Sequence, residues 1–96
     1  MVKHTVLWKF RPEVRAEACE KLRAAFESLR GEIPGLLSLE ARANENAAET
    51  TVDFSLRTEH ATWKDLEVYQ KHPKHLEIVG YVRSVATERR AVDYEV

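Results

Sequence analysis

His4, Tyr69, His72 and His75 hold most of the side-chain chemistry in this sequence. Imidazole is the side chain whose ordinary pKa lets it exchange a proton near neutral pH. The run Tyr69-x-x-His72-Pro73-x-His75 places a phenol and two imidazoles in one short segment. His72 and His75, three apart, read as part of a zinc site that His4 or Glu77 would have to complete. Pro73 disturbs that spacing, and no metal is assigned. Cys19 is a nucleophile by residue type, but spacing places no histidine beside it. Structural roles are open to the same residues. His4 can be a core histidine held by hydrogen bonds, His72 the support of a helix break, and Tyr69 plain helix-to-sheet packing. Trp8 and Trp63 read as core and helix-anchor residues, or as the wall of a pocket for a flat ligand. His75 is the best functional candidate.

Several classes of chemistry are excluded by the totals. The chain has 96 residues, 44% apolar and 32% charged, with net charge −1. That is the size of one domain with one modest core. Residues 1–48 carry 8 basic and 7 acidic side chains, residues 49–96 carry 7 and 9, so neither half is a basic platform for nucleic acid. Arg83, Arg89 and Arg90 read as solvated surface. No apolar run approaches the ~18 residues of a membrane span. The single Cys19 has no internal disulfide partner, and no secretory signal is visible, so a cytoplasmic location is expected. Gly31, Gly35 and Gly80 cannot build a G-x-G-x-x-G or Walker loop, and no nucleotide or other cofactor is expected.

These side chains must be positioned by six elements. Residues 2–10 alternate, with Val2, His4, Val6, Trp8 and Phe10 on one face, which predicts a strand. Pro12 suits a first helical turn. Val14, Ala18, Leu22, Ala25, Phe26 and Leu29 then predict an amphipathic helix over 13–30, closed by Gly31. Residues 36–43 predict a second strand with Leu37, Leu39, Ala41 and Ala43 inward. Residues 51–58 predict a third, with Val52, Phe54 and Leu56 inward and Asp53 outward. Thr62 and Asp65 form a capping pattern before a helix carrying Trp63, Leu66 and Tyr69. Pro73 breaks it at His72. A second helical stretch carries Leu76, Val79, Val82 and Val85 or Ala86, and Val92, Tyr94 and Val96 predict a last strand. The order β-α-β-β-α-β, with one apolar stripe on each helix, predicts an α+β, ferredoxin-like four-stranded antiparallel sheet covered on one face.

Val2 to Phe10, Ile33-Pro34-Gly35-Leu36, Leu66 to Tyr69, His72-Pro73-x-His75 and Val92-Asp93-Tyr94-Glu95 together resemble the stress-responsive A/B barrel domain, or Dabb, family. The resemblance runs in order over nearly the whole chain, making residues 1–96 a single Dabb-type domain. It implies a dimeric α+β barrel in which two subunits bring their sheets together. The residues alone leave monomer and dimer open. The sheet face away from the helices is expected to show Lys3, Thr5, Leu7, Lys9, Leu36, Ser38, Glu40, Arg42, Asp53, Ser55, Arg57, Asp93 and Glu95. Its mixed charges suit either water or a self-complementary interface.

The resemblance also implies a place for chemistry. One plant member, olivetolic acid cyclase, closes a polyketide chain by an aldol-type condensation without a cofactor. Its catalytic Tyr and His fall on Tyr69 and His75, and its first-strand His on His4. Two polar positions of its pocket fall on Phe26 and Phe54, so the pocket expected here is drier. The expected ligand pocket is therefore His4, Phe26, Phe54, Tyr69 and His75. Two functions follow. One is a homodimeric small-molecule-binding or stress-associated module, which is favoured. The other is a cyclase-like enzyme with His75 as base and Tyr69 as its partner. A cofactor-free monooxygenase of the kind found on related barrels comes third, since no residue marks an oxygen site.

Overall fold

The structure, a computed structural model, describes every residue from Met1 to Val96. Strand β1 is Val2–Phe10, helix α1 Arg15–Glu27, β2 Leu36–Ala43, β3 Phe54–His60, α2 Trp63–Lys71, α3 Pro73–Val85 and β4 Ala86–Glu95. All neighbouring strands are antiparallel, in the order β2-β3-β1-β4. The helices lie on one face of the sheet, giving the expected ferredoxin-like α+β arrangement. On β1 the alternation is complete: Val2, His4, Val6, Trp8 and Phe10 are buried, and the residues between them are half-exposed.

Local physics sets where the elements begin and end. Pro12 opens a 3₁₀ turn over Pro12–Val14, so α1 starts later than the spacing predicts. Past Glu27 the chain tightens into shorter-range bonds, Leu29 N–H to the Phe26 carbonyl (3.0 Å) and Arg30 N–H to Glu27 (3.1 Å). Thr62 caps α2 by accepting from the Asp65 N–H at 3.1 Å. Pro73 separates α2 from α3 as expected. His72 is extended there (ψ 134°) and its Nδ1 accepts the Lys74 N–H at 3.1 Å, so it caps α3. Gly35 turns the chain into β2 at φ +82°, and a Cβ there would stand 2.6 Å from Asp65.

Four expectations about which way side chains face are corrected. A bulge at Leu36–Ser38 sets Leu36 and Leu37 against one residue, His60. Leu36 therefore packs on the core, while Leu37 is 57% exposed, the reverse of strict alternation. Asp53 is buried, because the chain bends before β3 and turns its carboxylate inward; β3 accordingly starts at Phe54 and runs to His60. On β4, His4 pairs with Asp93 and Val2 with Glu95, so those acids share the helix side of the sheet. Val92 and Tyr94, opposite Thr5 and Lys3, take the outer face instead. On the helices, Trp63 and Leu76 are about half exposed, and Ile78 joins Val82 and Val85 in the core.

The core lies between the sheet and the helices. Trp8 stacks on Phe26 (ring centroids 5.8 Å apart, 19° between planes), with Phe54 against both. Asp53 fastens one end of this layer. Its carboxylate accepts the Phe10 N–H (2.8 Å) and the Arg15 Nε–H (2.8 Å), with the Lys9 ammonium at 3.6 Å. Its own N–H donates to the Trp8 carbonyl at 2.8 Å.

Candidate functional site

Tyr69 sits at the centre of a histidine cluster. It is fully buried, and its ring centroid lies 4.4 Å from His75, 5.1 Å from His60 and 6.2 Å from His4. Four elements contribute: β1 supplies His4, β3 His60, α2 Tyr69 and α3 His75. Pro73 makes this convergence possible, because it ends α2 and lets α3 start in a new direction, carrying His75 back over Tyr69. His60 escapes sequence reading. It falls beyond the predicted end of β3, and its alternation with Leu56 and Thr58 becomes visible only when that strand runs on.

Each imidazole is oriented by a neighbour. His4 Nδ1 pairs with the Asp93 carboxylate, which accepts the Nδ1–H and leaves Nε2 with the lone pair in the neutral ring. His75 Nδ1 donates to the Gln70 carbonyl at 3.1 Å, which again leaves Nε2 as the basic nitrogen. His60 Nε2 meets the Thr58 hydroxyl at 2.9 Å, and its Nδ1 has no partner. Burial lowers the pKa of both His60 and His75, so both rings are neutral at pH 7. Burial also pushes the Tyr69 phenol well above its ordinary range, and its hydroxyl has no hydrogen-bond partner.

A cavity of about 380 Å³ opens beside the cluster. Its floor is the sheet, with His4, Val6, Trp8 and Leu56, and Phe26 of α1 closes one side. Gln70, His75, Leu76, Val79, Val82 and Arg83 form the helical wall, and Arg89 of β4 stands across from them. Of the five expected pocket residues, His4, Phe26 and His75 line this cavity. Phe54 and Tyr69 stand behind its wall, Phe54 packed on Phe26 and Tyr69 beneath His4 and His75. Trp8 is a buried core residue, as expected, and also borders the floor of the cavity. Gln70, Arg83, Arg89 and the His4 partner Asp93 were not foreseen, since they depend on the register of β4 and the angle of α3. No group of three or more metal-ligating side chains forms, and His72 turns to the α3 backbone. Cys19 is buried, and burial raises its thiol pKa, which suits packing.

Two predictions arise here. Tyr69→Phe removes a buried hydroxyl without a partner, so stability is expected to rise by about 1 kcal/mol, measured by urea unfolding. A loss of that size would reveal a hydrogen bond to the phenol instead. The two depressed histidines also set a pH dependence. Unfolded histidine titrates near 6.5. Their contribution is complete above that pH and is lost as pH falls through their lower folded values, because the unfolded chain then binds the protons. The melting temperature is expected to fall from about pH 6.5 downward, and His60→Gln to flatten that fall. An unchanged slope in the variant would remove His60 from the account.

Comparison with known proteins places this geometry in context. A family model described as the stress responsive A/B barrel domain matches residues 2–96. A dimeric protein of unknown function and ferredoxin-like fold from Bacteroides fragilis has 29% identity and TM-score 0.91, over 99% of this chain and 95% of its own. A Dabb family protein from Mesorhizobium loti has 18% identity and TM-score 0.75, over 99% and 95%. An antibiotic biosynthesis monooxygenase has 15% identity and TM-score 0.82, over 100% and 98%, a likeness of fold alone. No curated protein matches the sequence.

Proposed function

The chain belongs to the stress-responsive A/B barrel domain family, and we propose that residues 1–96 work as one domain of a homodimer that binds a small, mainly apolar molecule between its helices and sheet. The carrying observation is the cavity of about 380 Å³ between His4 and His75, within the usual range for small-molecule sites. Most of its lining is apolar, and its two imidazoles, His4 and His75, are oriented by hydrogen bonds to Asp93 and the Gln70 carbonyl.

Two features support the dimer. The outer face of the sheet carries Val92 and Tyr94, 54% and 44% exposed, which makes it more apolar than the sequence implied. Strand β4 is almost wholly exposed along its length, an uncovered edge that soluble proteins usually protect. The Bacteroides fragilis relative is itself described as dimeric. A buried, unpaired Cys19 suits a reducing compartment, and we place the protein in the cytoplasm. No helix is long and apolar enough to cross a membrane.

The test combines mass and binding. Light scattering at micromolar concentration is expected to give twice 11.1 kDa. Calorimetry is expected to detect 2-naphthylmethanol binding, which Val79→Phe abolishes by filling the cavity from α3 with stability changed by less than about 1.5 kcal/mol. A monomeric mass would sink the dimer, and unaltered binding in the variant would sink the cavity as the site.

A second reading is favoured by one observation. The lone pair of His75 is left on Nε2, and the ring is neutral at pH 7. Such a base can take a proton α to a carbonyl, as in an aldol-type ring closure. In this reading His75 is the base. Tyr69 supports its ring from below, as the fully buried phenol has no open path to the cavity.

A further inference from the structure

We propose that the cavity takes a flat organic anion, whose carboxylate is held by Arg83 and Arg89 while its apolar body lies in the slot formed by Val79, Val82 and the edge of Trp8. This rests on the cavity being a ligand site and adds the charge and shape of the occupant. Arg83 comes from α3 and Arg89 from β4, and both line the cavity although they belong to different layers of the fold. A shallower groove of about 230 Å³ continues from it past Trp8, Val82, Arg83 and Arg89, so the two guanidiniums stand where cavity and groove join.

Neither guanidinium is neutralised by the protein. Every ion pair of the chain is formed by other residues. The helix arginines Arg23 and Arg30, by contrast, each hold a glutamate of their own helix. Glu88, the one carboxylate along the groove, lies opposite Lys9 in the strand register. Two free guanidiniums present planar donor pairs that match a carboxylate. Beside them the buried indole of Trp8, stacked on Phe26, contributes its edge to the apolar floor of the cavity. Val79, Val82 and the half-exposed Leu76 complete an apolar slot next to the charge. The arrangement selects a ring or planar chain with one anionic end. In that pose the body of the ligand lies between the arginines and the His4–His75 pair.

The experiment compares 2-naphthoate with 2-naphthylmethanol, which share a ring system and differ in charge. Calorimetry on the native protein at low salt is expected to give at least roughly ten-fold tighter binding of the acid. That advantage should shrink as sodium chloride is added. The double variant Arg83→Gln with Arg89→Gln is expected to lose the advantage and to keep its affinity for the alcohol. Equal affinities in the native protein, or naphthoate binding unaltered in the double variant, would overturn the anion site and leave the cavity reading standing. Binding of neither compound would overturn both.

Discussion

Asp53→Ala is expected to cost about 2–4 kcal/mol of folding stability, a large share of what a domain of this size has. The carboxylate is buried and serves three partners at once: the Phe10 N–H at the end of β1, the Arg15 guanidinium on α1 and the Lys9 ammonium. Alanine leaves the Phe10 N–H buried without an acceptor and releases the tie between helix and sheet. Arg15 is partly exposed and can return to water, which keeps the loss from being larger. The corresponding drop in melting temperature is about 10–20 °C. Asp53→Asn keeps an acceptor for Phe10 and should lose about half as much. Burial alone would raise this carboxyl's pKa, but the Phe10 N–H, Arg15 and Lys9 outweigh burial and hold it below the ordinary value. Its stabilisation is therefore complete above about pH 3.9 and is lost as pH falls through the lower folded value. Urea unfolding of the variants checks the claim. A cost under about 1 kcal/mol would mean that the Asp53 network is dispensable.

His75→Ala is the variant with the largest expected effect on any proton-transfer activity. With a linear polyketide-like substrate, loss of a positioned base should lower turnover by about 10²–10⁴-fold. The half-buried His75 ring makes one hydrogen bond, to the Gln70 carbonyl, so the fold should survive its removal. In the native protein, turnover should decline as pH drops through the lowered pKa of His75, because protonation consumes the Nε2 lone pair. The variant should lose that inflection. If His4→Ala and His75→Ala both lower the melting temperature and neither alters turnover or ligand affinity, the histidines are structural and the binding reading stands without them.

Much of the fold is legible in the sequence because it rests on short-range rules. The alternation of Val2 to Phe10 reads as a half-buried strand, and the structure has that strand. Thr62 caps α2, and Pro73 breaks the helical region at His72 as its ring geometry demands. The errors come from effects that local pattern does not carry. Leu37 falls outside the core because the bulge at Leu36–Ser38 adds one residue to β2. Asp53 turns inward because three donors on β1 and α1 wait for it. Trp63 and Leu76 are apolar residues left at the surface, which composition cannot distinguish from core.

The site divides in the same way. His4, Tyr69 and His75 were identifiable by residue type, by the face of β1 and by family resemblance. His60 was not, since its burial depends on β3 running on to meet Val2. Asp93 was placed on the wrong face, since one residue of register decides on which side of β4 it stands. Arg83 and Arg89 looked like ordinary surface, as they do when each is read on its own element. The sequence by itself determined the elements, their order and the chemical groups, because those follow from periodicity, turn chemistry and side-chain type. Only the tertiary structure decided which groups meet. Register, bulge and the bend at Pro73 are set by long-range packing, and these bring three histidines around one tyrosine and two free arginines to the mouth of the cavity.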